Sequence, residues 1–403
     1  MKKICIAVVV CLLLFPLAAE GDTAYMNEKP EVRIQNVLAK LRRGEPVTVI
    51  ALGGSITTGY ASGPITENSW ASLTGRWFGE KAARTGSRLR YMNEGVSGTD
   101  SAFASVRIKD HVAAFNPDLV ILEFAMNDQW LDPKVRRRTY EGVIRQIMDG
   151  TDCAVLALFV NERKPPYAGQ QYEQQPVCGY YHIPFVSWKD SVTAENKNTD
   201  WNKFFDGEET IHPNNAGHES IAKYITAKLS SYYDSLPSDN AIPSPVKELP
   251  KALTDTGFQY VTYYSMDDKK PETNTGWRKG SPVHSEWVQH GQAKQGWQTD
   301  NPDAVMTFKV TGSSIGVTYC ESDTFRNADA WVTKPDGTDS QHVLLECFSS
   351  IRRGYLGWAY REIISGPSEE TYVLHIAVKK RGRAGSSANI TGIVAAGKTG
   401  LEK

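Results

Sequence analysis

The chain has 403 residues, of which 40% are hydrophobic and 23% are charged, and its formal net charge is -1. A chain of this length is longer than one that typically folds around a single hydrophobic core, so two or three domains are predicted. The near-neutral charge gives no general basis for binding nucleic acid or an anionic membrane, so neither is expected as a partner.

The N-terminus combines Lys2 and Lys3 with an apolar segment over residues 4–17 and small residues that end at Gly21. This order is typical of a secretory signal peptide, so residues 1–21 are predicted to be removed on export. No later stretch is apolar over a length that spans a bilayer. The sequence therefore favours a secreted or periplasmic protein without a membrane span.

Strand-like and helix-like segments alternate between residues 30 and 236. The strand candidates are 47–52, 89–93, 119–125, 154–160 and 184–188, and the helix candidates are 31–43, 70–84, 101–115, 136–148, 170–181 and 216–236. Alternation of this kind predicts an α/β domain with a parallel sheet that helices cover on both faces.

Residues 237–252 are rich in proline and polar residues, which is typical of a linker. The pattern then changes to short strand candidates at 304–310, 314–319, 328–332, 342–348, 372–378 and 390–395, with no amphipathic helices between them. Residues 253–400 are therefore predicted to form an all-β sandwich, of jelly-roll type, which we consider as a carbohydrate-binding domain.

Four cysteines remain beyond the predicted signal peptide, namely Cys153, Cys178, Cys320 and Cys347. In an exported protein they could form disulfides within each domain, or they could be free thiols in a core. Their spacing matches no common metal site.

Polar residues follow two of the predicted strands. Ser55 comes directly after strand 47–52 and a pair of glycines, and Asn127 follows strand 119–125. Ligands of α/β sheets bind at the carboxyl ends of the strands, so the Ser55 hydroxyl and the Asn127 amide are expected at one cleft. Each also has a purely structural interpretation, as a helix cap and as a turn residue.

His212 stands just before Pro213 and the last helix of this region, where it could act as the general base for a serine. A solvated loop histidine is the alternative. Metal binding by His212 and His218 is disfavoured, because Pro213 interrupts a shared helix face and the spacing matches no common zinc pattern. No metal or cofactor is predicted.

Four segments in this order resemble the sequence blocks of the SGNH hydrolases, also called GDSL-type esterases. They are GGSIT at 53–57, EGVSG at 94–98, AMND at 125–128 and IHPNNAGH at 211–218. The resemblance covers about residues 47–231. It implies a flavodoxin-like three-layer sandwich and ester hydrolysis by a serine nucleophile.

The resemblance also implies roles for single residues. Ser55 would be the nucleophile and His212 its base, while the backbone N–H groups of Ser55 and Gly98 and the Asn127 side chain would form the oxyanion hole. Glu209 occupies the position where the family normally has aspartate. Either Glu209, Asp206 or a main-chain carbonyl is therefore expected to orient His212.

Three features favour an acetylated carbohydrate as the substrate. They are the predicted export, the linker with a β-sandwich, and tryptophans that could stack on sugars or fill the core: Trp277, Trp287, Trp297, Trp331 and Trp358. The sequence thus predicts a carbohydrate O-acetylesterase. A lipase or acylhydrolase, a sugar O-acetyltransferase with the same residues, and a non-catalytic carbohydrate-binding protein remain alternatives. The glycan and the oligomeric state are not indicated.

Overall fold

The computed structural model describes residues 25–167, 169–280, 296–350, 356–379 and 387–397. The predicted signal peptide, residues 1–21, lies outside these ranges. The described chain forms an α/β domain followed by an all-β domain, which confirms the predicted fold class.

Five parallel strands form the sheet of the N-terminal domain in the order β2-β1-β3-β4-β5. Their bounds are Val47–Gly53 (β1), Leu89–Gly95 (β2), Leu119–Glu123 (β3), Ala154–Phe159 (β4) and Phe185–Ser187 (β5). β3 and β4 are buried throughout, as expected of central parallel strands with both faces covered. This strand order is the doubly wound, flavodoxin-like order.

Helices cover both faces of the sheet. Because side chains alternate along a strand, Val49 and Ala51 of β1 join the core on one face and Ile50 and Leu52 join the core on the other. The helices are Val32–Arg42, Ser55–Thr58, Ile65–Asn68, Trp70–Thr85, Ser101–His111, Pro133–Met148, Gln171–Tyr180, Trp188–Glu195 and Asn215–Asp234. This is the predicted three-layer arrangement.

The C-terminal domain is built on one continuous curled sheet, mostly antiparallel. Its strands are Val261–Tyr264 (β6), Thr273–Thr275 (β7), Arg278–Lys279 (β8), Trp297–Thr299 (β9), Val305–Glu321 (β10), Ala328–Thr333 (β11), Val343–Leu345 (β12), Gly357–Val378 (β13) and Ala388–Ala396 (β14). The predicted strands 304–310 and 314–319 are one strand, β10, because the irregularities at Gly312 and Ile315 bend it without ending its pairing with β13.

The two domains share a hydrophobic core. Val96, Phe103 and Val106, on the helix Ser101–His111 and the loop before it, pack with the buried side chains of the β domain. Arg138 adds ion pairs to Asp255 and Glu362 across the same boundary. The helix that follows the Gly98 loop is therefore supported by the C-terminal domain.

The end of the predicted linker and the first residues after it lie against the N-terminal domain. Buried Glu141 accepts hydrogen bonds from the backbone N–H groups of Leu253 and Thr254, and Arg145 donates to the carbonyl of Pro250. Within the described ranges, no helix has the length and apolarity needed to cross a membrane.

The cysteines and tryptophans are mainly interior residues. Cys153, Cys178, Cys320 and Cys347 are buried free thiols. Trp277, Trp297 and Trp358 are buried, whereas Trp331 stacks between the rings of His342 and His375. Trp287 lies outside the described residues.

Candidate active site

The Ser55 turn connects β1 to a one-turn helix, Ser55–Thr58. Close packing, rather than a positive φ, requires glycine before the serine. A Cβ atom on Gly54 would lie 2.6 Å from Nδ2 of Asn127, and one on Gly53 would lie 2.1 Å from Oγ1 of Thr57. The glycine pair thus allows the serine turn and the asparagine side chain to approach each other.

His212 faces Ser55 across the end of the sheet. Its Nε2 atom lies 2.9 Å from Oγ of Ser55, at hydrogen-bond distance. Ser55 is 7% exposed, and the His212 side chain is 21% exposed. The pair is therefore largely shielded while an opening to solvent remains, as a serine and its base require for reaction with a dissolved substrate.

Glu209 holds the loop that carries His212. Its Oε1 atom accepts backbone N–H bonds from Thr210, Ile211 and His212 at 2.8–3.2 Å. Its Oε2 atom lies 3.3 Å from Nδ1 of His212, at ion-pair distance but off the line of a regular hydrogen bond.

The surroundings of Glu209 favour its ionised form. Partial burial opposes its charge, but the backbone N–H bonds of Ile211 and His212 and the nearby imidazole outweigh this, so the pKa of Glu209 lies below its usual value. Asp206, the alternative carboxylate, instead accepts a hydrogen bond from Asn214 at 2.8 Å. The structure therefore places Glu209, and not Asp206, beside Nδ1 of His212.

Asn127 and Gly98 lie on the loops that flank the serine turn. Nδ2 of Asn127 donates to the carbonyl of Thr99 at 2.6 Å, which leaves its second N–H for another acceptor. Gly98 has a φ of +75°, in the region that favours glycine, and its loop is joined to the serine turn by the N–H of Val96 on the carbonyl of Gly53. All the sequence-predicted site residues thus lie at one edge of the sheet.

The structure also shows a buried carboxylate at this edge that the sequence motifs do not indicate. Glu123 ends β3 and is 1% exposed, and its Oε2 atom accepts a hydrogen bond from Oγ1 of Thr57 at 3.3 Å. Burial raises the pKa of Glu123 to about 7, although Thr57 and the N–H groups of Met126 and Gly54 favour the charged form. The sequence feature that could have indicated this carboxylate is a single glutamate at the end of an apolar strand segment.

The remaining polar residues of IHPNNAGH have structural contacts. Asn214 caps the helix Asn215–Asp234 through the N–H of Gly217. His218 is fully buried between the N–H of Trp70 and the carbonyl of Tyr60, and burial lowers the pKa of His218 to about 4. Over the described part of the chain, no group of side chains is arranged to hold a metal ion.

A cleft of about 460 Å³ opens between the two domains, and its lining does not include Ser55, His212 or Asn127. Trp130, which is 76% exposed and lies three residues after Asn127, forms part of its wall. Arg138, Tyr360 and Glu362 line it on both sides of the domain boundary. Its volume is in the range of small-molecule sites.

Comparisons with known proteins cover both domains. Residues 51–219 match the model of the GDSL-like Lipase/Acylhydrolase family. A two-domain esterase active on acetylated mannans matches with a TM-score of 0.78 and 20% identity over 94% of this chain and 99% of that one. Its structure co-crystallised with mannopentaose matches with a TM-score of 0.76 and 20% identity, over 94% and 98% of the two chains.

An acetylxylan esterase from Geobacillus stearothermophilus matches less of the molecule, with 14% identity and a TM-score of 0.38 over 47% of this chain and 96% of that one. No curated protein sequence matches the chain. The two-domain match establishes the fold across nearly the whole described structure.

Proposed function

We propose that the protein is an exported serine esterase that removes O-acetyl groups from a carbohydrate. The premise is that the N-terminal domain belongs to the GDSL-like lipase/acylhydrolase family and is a carboxylic ester hydrolase. The observation that carries this proposal is the 2.9 Å contact between Oγ of Ser55 and Nε2 of His212, with Glu209 behind the imidazole. This arrangement suits activation of a serine by a histidine base.

In the proposed reaction, Ser55 attacks the acetyl carbonyl carbon while Nε2 of His212 takes its proton. The N–H groups of Ser55 and Gly98 and the free N–H of Asn127 stabilise the tetrahedral oxyanion. As this intermediate collapses, the C–O bond to the sugar breaks and His212 returns the proton to the departing sugar oxygen. Water, deprotonated by His212, then attacks the acetyl carbon. The bond from this carbon to Oγ of Ser55 breaks, His212 returns the proton to Oγ, and acetate is released.

Two observations support a carbohydrate as the leaving group. The solved two-domain esterase with this fold acts on acetylated mannans. In addition, exposed Trp130 lies three residues beyond Asn127 and lines the cleft between the domains, where its ring could pack against a sugar. The apolar segment at residues 4–17 supports export. Together they favour a sugar ester over a long-chain lipid ester.

The test is acetate release from a panel of acetylated mannans, xylans and pectins, compared with p-nitrophenyl esters of increasing chain length. Ser55→Ala should abolish acetate release and acetyl-enzyme formation by mass spectrometry, whereas exposed Ser238→Ala should have wild-type activity. Preference for long acyl chains would instead indicate a lipase, and transfer to sugar exceeding hydrolysis would indicate an acetyltransferase. Full activity of Ser55→Ala would exclude the proposed nucleophile.

A further inference from the structure

Tyr60 is an exposed aromatic residue next to the catalytic pair. It is 54% exposed, and its ring centroid lies 4.5 Å from that of His212 at an interplanar angle of 61°. An aromatic ring offers a large, rigid contact surface at little entropic cost. Neither the proposed proton transfers nor the oxyanion hole uses this ring.

The loop that carries Tyr60 is held in an unusual backbone conformation. Gly59 has a φ of +101° and Ala61 a φ of +67°, a region that costs free energy for a residue with a side chain. The N–H of Tyr60 donates to the carbonyl of Ser55 at 2.9 Å. The position of Tyr60 is therefore tied directly to the nucleophile turn.

Two residues of IHPNNAGH fix this loop from the other side. The N–H of Trp70 donates to Nδ1 of His218, so the proton of this neutral imidazole is on Nε2, which donates to the carbonyl of Tyr60 at 3.3 Å. Asn215 accepts the N–H of Gly63 at 2.9 Å and donates to its carbonyl at 3.1 Å. The segment that presents His212 thus also positions the Tyr60 loop.

The direction of proton transfer locates the leaving group. Nε2 of His212 must protonate the departing sugar oxygen, so the sugar ring has to lie beside the imidazole. Tyr60 contacts that imidazole. One face of a pyranose ring presents C–H groups and packs on aromatic rings. We propose that Tyr60 forms a binding subsite for the pyranose ring that carries the acetyl group, and that His218 and Asn215 are positioning residues for it. This inference rests on the proposed function.

The test compares two esters that share the acetyl group: a mono-acetylated methyl mannoside and ethyl acetate, whose leaving group has no ring. The measured quantity is the ratio of kcat/KM for the sugar ester to kcat/KM for ethyl acetate. Tyr60→Ala and Tyr60→Leu should each lower this ratio by about tenfold, mainly through KM, because one aromatic contact is lost. Tyr60→Phe, which keeps the ring, should retain the wild-type ratio.

The matched control is Tyr172→Ala. Tyr172 is 67% exposed and makes no ring contact with His212 in the part of the chain that the structure describes. The ratio of kcat/KM values for Tyr172→Ala should therefore equal that of the wild type. Asn215→Ala should lower the ratio in the same direction as Tyr60→Ala. Asn215→Asp, which keeps the acceptor for the N–H of Gly63, should restore part of it.

The outcomes separate this inference from the proposed function. Equal losses on both esters in Tyr60→Ala and Tyr60→Leu would mean that Tyr60 acts only through His212, and would overturn the subsite while leaving the esterase proposal intact. An unchanged ratio in Asn215→Ala would overturn its positioning role. Hydrolysis of ethyl acetate with no activity on any acetylated sugar by the wild type would overturn both proposals.

Discussion

Replacing Glu209 with glutamine tests how His212 is oriented. Three backbone N–H groups point at Oε1 of Glu209, so the amide oxygen of the substituted side chain has to occupy that position. The amide NH2 group then faces Nδ1 of His212, which forces the imidazole proton onto Nε2. In that tautomer Nε2 cannot accept the proton of Ser55.

The loss of charge can be worked from the distance. A unit charge pair at 3.3 Å is worth about 1.3 kcal/mol in bulk water and about 5 kcal/mol at an effective dielectric constant of about 20. Since a third of the Glu209 side chain is exposed, a value of about 2–3 kcal/mol is reasonable for stabilising the imidazolium in the transition state. That corresponds to about 30- to 150-fold in kcat. The wrong tautomer adds to this loss, so we expect at least about 10²-fold.

The assay is steady-state hydrolysis of p-nitrophenyl acetate, with thermal unfolding to confirm the fold. Glu208→Gln, an exposed neighbour, is the control for loss of one charge from the loop. Asp206→Asn should leave kcat near that of the wild type, because Asp206 contacts Asn214 and not His212. Normal kcat in Glu209→Gln, with a large loss in Asp206→Asn, would refute this assignment.

Three further changes probe the oxyanion hole, the buried carboxylate and the domain boundary. Asn127→Ala should lower kcat by about 10²- to 10³-fold with a smaller change in KM, and a pure KM effect would contradict the oxyanion role. Because the pKa of Glu123 is raised in the folded protein, its contribution to stability is fully present below about pH 4.5 and is lost as the pH rises through about 7. The Tm of the wild type should therefore fall more between about pH 5 and pH 8 than the Tm of Glu123→Gln. An equal fall in Tm for both proteins would contradict this. A chain ending at Ser238 should aggregate or be inactive on ethyl acetate, because removal of the β domain exposes Phe103 and Val106. A wild-type kcat in this truncation would show that the domains are independent.

The sequence predicts those parts of the structure that depend on local patterns. The alternating apolar segments predict the parallel sheet, and the resemblance of four short motifs predicts that Ser55 and His212, 157 residues apart, lie together. The structure places their side chains in contact because β1 and the loop before Asn215–Asp234 end at the same sheet edge. The role of each residue in catalysis stays a prediction until the variants are measured.

The features that the sequence does not predict depend on tertiary contacts. The first part of β13, residues 357–365, contains the charged residues Arg361 and Glu362, and it is extended because it pairs along β10. Pairing with a distant strand here overrides local propensity. Glu123 is hidden in the same way, since only the fold shows that its carboxylate lies under the Thr57 hydroxyl.

The contacts at the domain boundary change what the C-terminal domain is expected to do. A proline-rich segment predicts a tether, but Glu141 and Arg145 of one helix bind the backbone of residues 250–254. The β domain packs on Phe103, two residues into the helix that follows the Gly98 loop. We expect a domain in this position to stabilise the proposed oxyanion loop whether or not it binds sugar. Loss of activity on polymers after its removal would therefore not by itself demonstrate a carbohydrate-binding function, and the small-ester kinetics of the same variant are needed to interpret it.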